Sequence, residues 1–145
     1  MMISTRGRYA LRFLLDLAEH QGSGYVALKD AAQRQGISKK YLEQIIPLLN
    51  RLELLNTTRG HQGGYRLARS PADYTLGEIL RATEGSLAPV TCLELAHNPC
   101  PRQADCAALP VWRGLDKVIR EYLDGITLQT LLEQQSARCG AETVL

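Results

Sequence analysis

Between Gln35 and Leu67 the apolar repeat changes from helical to extended, with a glycine turn in front and a glycine-rich connection inside. Gly36-Ile37-Ser38 opens the stretch, and Ser38 is a residue type that caps helix N-termini. Leu42, Ile45, Ile46 and Leu49 recur at i, i+3, i+4 and i+7, which makes one apolar helix face. Lys39, Lys40, Glu43 and Gln44 fall on the remaining faces. Two β-prone runs follow, Leu54–Thr58 and Tyr65–Leu67, joined by Arg59-Gly60-His61-Gln62-Gly63-Gly64. Glycines on both sides of that connection admit positive φ, which predicts a hairpin with an exposed basic tip. A helix with a polar outer face followed by such a hairpin has the pattern of a winged helix-turn-helix. The helix suits a major groove and the wing an adjacent minor groove. The expected fold is mainly α with a small β-hairpin wing.

The segments in front complete that pattern. Ser4 and Thr5 offer an N-cap, and Arg6 to His20 reads as a helix with Ala10, Leu14, Leu17 and Ala18 inward. Arg8, Arg12, Asp16 and Glu19 predict an outer charged stripe with an Arg12–Asp16 pair at i,i+4. Arg6 and Arg8 oppose the helix dipole, a local cost that phosphate contacts would offset; a solvated charged face is the plain alternative. Tyr25-Val26-Ala27 predicts a short strand and Leu28–Gln35 a short helix, with Gly36 just past its end. Two short helices around that glycine have helix-turn-helix spacing. Pro47 removes the bond to the Glu43 carbonyl and predicts a bend in the second of them.

Thr75-Leu76-Gly77-Glu78 has the capping-box form and predicts a helix to Thr83, stopped by Gly85. Residues 86–107 lose all periodicity and contain Pro89, Pro99, Pro101 and three of the four cysteines. Ala108, Trp112, Leu115, Ile119 and Tyr122 are then spaced 4, 3, 4, 3, a coiled-coil-like seam widened by Val111 and Val118. Such a helix exposes more apolar surface than a small winged domain covers, which predicts a partner helix from a second subunit. Gly125 ends it, Thr127 caps a short last helix, and the tail from Ser136 is expected to be loose. The expected organisation is a winged domain over 1–85, a cysteine loop over 86–107, a dimerisation helix and short C-terminal helix over 108–135, and a flexible tail over 136–145.

Residues 1–70 hold 11 Lys and Arg against 5 Asp and Glu, and residues 71–145 hold 6 against 10. A basic first half facing a polyanion and an acidic second half with other work would produce this, as would chance segregation of surface charge. No window reaches the length of an apolar membrane span, and the N-terminus lacks a signal-peptide pattern. The expectation is a cytoplasmic protein whose cysteines are reduced or metal-bound. Cys92, Cys100 and Cys106 lie with seven and five residues between them in an irregular loop. Three thiolates there could hold an iron–sulfur cluster or zinc, or act as a thiol sensor. His20, His61 and His97 are scattered, and no catalytic Cys/His/Asn constellation is present, so an enzyme is not expected.

With these parts assembled, the chain resembles the Rrf-two (Rrf2) family of bacterial repressors, the IscR/NsrR/CymR group, over nearly its whole length. The markers are Ile3-Ser4-Thr5-Arg6-Gly7-Arg8-Tyr9-Ala10, Tyr41-Leu42-Glu43-Gln44, Arg59-Gly60 followed by Gly63-Gly64-Tyr65, and the Trp112 helix ending in Ile126-Thr127-Leu128. The resemblance implies a bacterial, cytoplasmic homodimer of winged domains, crossed through the long helix and bound to a palindromic double-stranded operator. It implies that Tyr41, Glu43 and Gln44 face bases, where Gln suits an adenine edge and Glu a cytosine amino group. It places Arg59 in a minor groove, with His61 and Gln62 beside it on the wing. Arg6, Arg8, Ser38, Lys39 and Lys40 complete the implied DNA surface, and Trp112, Leu115, Ile119 and Tyr122 the implied dimer seam.

Cys92, Cys100 and Cys106 match the cluster cysteines of the IscR-like branch, which tunes iron, sulfur or cluster-assembly genes, with cluster donor or acceptor proteins as further partners. The first interval is longer here than in IscR. Leu109 stands where IscR-like members have a ligand histidine, and Arg8 where the NsrR-like aspartate would be. Glu94, His97, Asp105 and Cys139 are the remaining candidates for a fourth ligand, alongside an outside thiol or water. The cluster type, two-iron or four-iron, stays open. CymR-like members lack the cysteines, so a cluster-free regulator of the same fold, controlled by thiol oxidation or a partner protein, is the alternative.

Overall fold

The apolar stripe of the first helix becomes the centre of the molecule. The computed structural model describes residues 2–143. In it α1 spans Thr5–His20, capped by Ser4, whose Oγ accepts from the Gly7 N–H at 3.3 Å. Ala10, Phe13, Leu14 and Leu17 on α1 are fully buried. Against them pack α2 (Leu28–Gln35), α3 (Lys39–Asn50), α4 (Leu76–Glu84), the second strand of the hairpin and the last helix. The outer charged stripe expected on α1 does not form as expected. Asp16 is 1% exposed and takes Arg34 Nε and Nη2 at 2.9 and 2.8 Å, with Gln35 Nε2 at 3.1 Å. Arg12 is therefore not its partner; it donates to the Gln35 carbonyl and lies over the Tyr9 ring. Helical spacing alone proposed the i,i+4 pair, and a residue 18 positions away supplied a better one in the fold.

Gly36 ends α2 at φ +64°, and Ser38 caps α3 by accepting from the Tyr41 N–H at 3.1 Å. α3 runs unbroken through Pro47 and buries Leu42, Ile45, Ile46 and Leu49. Strands β1 (Leu55–Thr58) and β2 (Gly64–Leu67) pair antiparallel, with Leu55 opposite Leu67 and Thr58 opposite Gly64. The strand expected at 25–27 reduces to one bridge, Val26 with Tyr65. That bridge explains Gly64, because a Cβ there would collide with the Val26 carbonyl.

Tyr74 is fully buried; its hydroxyl donates to the Leu54 carbonyl at 2.6 Å and accepts from Ala68 N–H at 2.9 Å, tying hairpin to α4. Only half of the expected capping box at α4 forms. Thr75 Oγ1 accepts from the Glu78 N–H, but the Glu78 carboxylate turns to Arg69 at 2.7 Å. This bond holds the Arg69 guanidinium above its usual pKa.

After the cysteine loop come α5 (Leu109–Asp124) and α6 (Leu128–Thr143). Leu109 and Leu128 are buried anchors, and Leu128 N–H donates to the Tyr74 carbonyl at 3.1 Å. α6 continues through residues 136–143, where the sequence suggested a loose tail; residues 144 and 145 lie outside the described part. The run Glu133–Arg138 is rich in good helix formers, and Gln135 Nε2 reaches Glu19 of α1, so the helix has both propensity and an anchor. No helix among the described residues is long and apolar enough to cross a membrane.

Candidate nucleic-acid interface and cysteine loop

Burying the apolar face of α3 turns the opposite face outward, so Ser38, Lys39, Lys40, Glu43 and Gln44 are exposed and Tyr41 is half-buried. The start of α1 lies beside this face. Ser4, Thr5 and Arg6 line a shallow cleft of about 350 Å³ together with Tyr41, Gln44 and Ile45. The Tyr9 and Tyr41 rings meet edge-on at 5.5 Å and lock the two helices together. Arg8 is exposed and folds back to Thr5 Oγ1 at 3.0 Å. The sequence thus named residues of two separate segments that the fold joins in one surface.

The wing presents Arg59, His61 and Gln62, all exposed, on a five-residue connection between Thr58 and Gly64. Gly60 takes φ +105°, and its carbonyl accepts from the Gly63 N–H at 2.9 Å. A Cβ at Gly63 would meet the Thr58 and Gly60 carbonyls at 2.7 and 2.8 Å, so the tight tip needs glycine at both ends. Four arginines away from this surface are engaged with carboxylates: Arg34 with Asp16, Arg69 with Glu78, Arg81 with Asp124, Arg120 with Asp116. Among the described residues Arg6, Lys39, Lys40 and Arg59 make no such pair. Exposed cations without carboxylate partners, beside α3 and at the wing tip, are free to meet a phosphate backbone.

α2 is fixed to α1 from below. Asp16 clamps Arg34 and Gln35 at the end of α2, one residue before the Gly36 turn into α3. The hydrogen bond to Asp16 raises the Arg34 pKa further above its ordinary value. This support for α3 has no signal in the sequence, where Asp16 falls on the charged stripe of α1.

The cysteine loop joins α4 to α5. Cys92 lies in a single 3-10 turn at Thr91–Leu93, and Cys92, Cys100 and Cys106 are all half-buried. The Cys100 carbonyl accepts from Gln103 N–H and the Cys106 carbonyl from Leu109 N–H, so these two residues sit at the heads of turns, while Cys92 lies within its own. Glu94, His97 and Asp105 are exposed in the same loop, while Cys139 is exposed on α6. Among the described residues no three His, Cys, Asp or Glu side chains are gathered at metal-ligand spacing. Leu109, at the position of the family's histidine, is a core side chain at 4% exposure.

Asn98 is the chemical clue within the loop. Its Oδ1 accepts from the Cys100 N–H at 2.9 Å, which fixes the amide, and its buried Nδ2 has no acceptor. A buried donor without a partner costs about 1–3 kcal/mol. Next to a thiol-bearing turn, an anionic sulfur would satisfy it. Three thiols and an orphaned amide donor on one loop fit an iron–sulfur cluster in chemistry, with loop closure still required to bring the thiols together.

α5 carries its seam outward. Trp112, Leu115, Val118 and Tyr122 are 37%, 43%, 61% and 67% exposed, and Ile119 is half-buried.

A family signature described as "Rrf2: Iron-dependent Transcriptional regulator" matches residues 3–134. The chain is 42% identical over 137 residues to Protein rrf2 of Nitratidesulfovibrio vulgaris, covering 94% of this chain and 90% of that one. Among solved structures it is similar to CymR, the global cysteine regulator of B. subtilis, at TM-score 0.74 and 36% identity, covering 92% and 98% of the two chains. It is similar to T. potens IscR at TM-score 0.73 and 40% identity, covering 93% and 88%.

Proposed function

The chain belongs to the Rrf2 family of transcriptional regulators, DNA-binding proteins and not enzymes, and within it we propose a homodimeric operator-binding protein whose cysteine loop senses iron–sulfur cluster or redox status. α3 reads base edges in a major groove, with Gln44 and Glu43 as the discriminating side chains and Lys39, Lys40, Arg6 and Arg8 on phosphates. Arg59, at the wing tip, enters the adjacent minor groove. Two copies pair through the exposed face of α5, which puts their recognition helices on the half-sites of a palindrome.

Cys92, Cys100 and Cys106 would hold the cluster, with Asn98 Nδ2 donating to a sulfur. When bound, the cluster supplies a redox- and oxygen-sensitive group whose gain or loss changes the shape of the loop. The chain's contribution is mechanical: the loop begins at the end of α4, which packs on α1, and ends at α5. Iron, sulfur or cluster-assembly genes are the proposed targets. The observation carrying this reading is the set of three half-buried thiols in one irregular loop that also holds the orphaned Asn98 amide.

A second reading, a thiol-responsive repressor of cysteine metabolism, draws on the thiols standing apart among the described residues and on the similarity to CymR. Anaerobic purification with iron, sulfide and visible-absorption measurements, on wild type and Cys106→Ala, separates the two. A thiolate-to-iron charge-transfer band lost in the variant supports the cluster. Colourless, iron-free protein even after reconstitution transfers the signal to thiol chemistry or a partner.

A further inference from the structure

The first helix has an unusual start. Its first turn contains no acidic residue and two arginines, Arg6 and Arg8, so both charges near its positive end have the wrong sign for the dipole. In an ordinary capping box the third helical residue is Glu or Gln, whose side chain reaches back to the N-cap N–H. Here that position is Gly7. The missing carboxylate comes from the other end of the domain. Glu84, the last residue of α4, places Oε1 3.0 Å from Ser4 N and 2.6 Å from Ser4 Oγ, so one oxygen accepts from both. Ser4 Oγ in turn accepts from the Gly7 N–H. A Cβ at Gly7 would collide with that same Glu84 oxygen. The incoming carboxylate is the closest obstacle to a side chain at this position, with Leu80 Cδ2 and Thr83 Oγ1 of α4 each at 3.3 Å.

We propose that Glu84 completes the capping box of α1 in trans and thereby acts as a positioning residue for operator binding. It supplies the negative charge that lets Arg6 and Arg8 sit at a helix start, and it fixes the terminus beside Tyr41 and Gln44 at the edge of the recognition helix. Glu84 touches no DNA itself. The inference rests on the reading of Arg6 and Arg8 as phosphate contacts, and its test keeps the two apart.

The probe is a labelled operator duplex, with random duplex as control, titrated across salt concentrations with five full-length proteins: wild type, Arg6→Ala/Arg8→Ala, Glu84→Ala, Glu84→Gln and Gly7→Glu/Glu84→Ala. The arginine variant should lower the salt slope by about two to four, one for each phosphate contact removed from the two protomers; an unchanged slope overturns the underlying reading of α1. Glu84→Ala should weaken operator and random DNA alike by about fivefold to tenfold for each bound protomer, the loss of one cap apiece, with a salt slope moved towards that of the arginine variant. Glu84→Gln keeps an acceptor but loses the charge and should fall between the two.

The decisive protein is Gly7→Glu/Glu84→Ala, which rebuilds the box within α1 in the space that Glu84 vacates. It should recover most of the affinity and the salt slope. Amide hydrogen exchange at residues 4, 7 and 8, the amides bonded at this terminus, should be fast in Glu84→Ala and slow again in the double variant. A Glu84→Ala protein with wild-type affinity and slope, in a background where the arginine variant is impaired, overturns the proposal. So does a double variant with slow exchange at residues 4, 7 and 8 and no recovery of binding.

Discussion

Breaking the Asp16–Arg34 pair should cost more from the arginine side than from the aspartate side. Asp16 is fully enclosed and accepts three hydrogen bonds, two from Arg34 and one from Gln35. The Arg34 side chain is 35% exposed. Arg34→Ala leaves a buried carboxylate with the Gln35 amide and the His20 ring, whose Nδ1 stands 3.6 Å from Oδ1, and breaking a buried pair this way costs about 3–5 kcal/mol. Partial exposure of the guanidinium admits water and reduces that to roughly 3 kcal/mol. Asp16→Ala removes the buried charge and leaves Arg34 free to turn into solvent, so its cost is lost hydrogen bonds and a small void, about 2 kcal/mol. The double variant should then be more stable than Arg34→Ala alone, because removing the carboxylate relieves the stranded charge. Urea denaturation followed by circular dichroism measures all three, and at this chain length roughly 3 kcal/mol corresponds to a melting shift of about 10 °C. Arg34→Ala milder than Asp16→Ala, or a double variant at the sum of the singles, would refute the reasoning. Either result would mean that Asp16 is hydrated or paired elsewhere.

Three other substitutions address the proposed DNA and dimer surfaces. Arg59→Ala should weaken operator binding and lower the salt slope by about one per protomer; unchanged affinity at physiological salt removes the wing from the interface. Gln44→Ala should relax sequence preference by about 1–3 kcal/mol at one base position while affinity for random DNA stays nearly the same. Intact preference for operator over random duplex would show that α3 is not the reading helix. Leu115→Lys places a charge in the middle of the exposed α5 seam and should convert a dimer to monomer in sedimentation velocity without lowering helicity; a wild-type sedimentation coefficient would move the interface elsewhere.

The elements that could be read from the chain were those whose cause is local. Ser38 before an apolar 3.6-residue period gave α3, Gly36 gave the turn before it, and Gly60 with Gly63 gave the wing tip. The face carrying Lys39, Lys40 and Gln44 followed from burial of the opposite face. Long-range partners were not legible. Asp16 has the sequence environment of a surface residue and is buried because Arg34 approaches it across the helix pair. Gly7 is uninformative until Glu84, 80 positions from Ser4, is seen against it. The continuation of α6 past Ser136 depends on an anchor at Glu19, again from a distant helix. Leu109 could be seen to break the family's ligand pattern, but its burial in the core required the fold.

The position of Glu84 also bounds how much a signal from the cysteine loop can change operator affinity by this route. Glu84 is the last residue of α4 before Gly85, which takes φ +82° at the entry to the loop. A loop rearrangement that pulled Glu84 off Ser4 would forfeit two charge-assisted bonds in a half-exposed setting, about 1–2 kcal/mol. That is a change of about 5- to 30-fold for one protomer, and the square of it when two protomers share an operator. A measured ratio between loop states above the bound requires a second route, and α5 offers it. Arg81 on α4 donates to Asp124 at the end of α5 at 2.5 Å, so the two helices that flank the loop are clasped at one point. Asp124→Asn in the Gly7→Glu/Glu84→Ala background should then abolish the residual response; a response that survives both changes must reach the DNA surface through neither helix end.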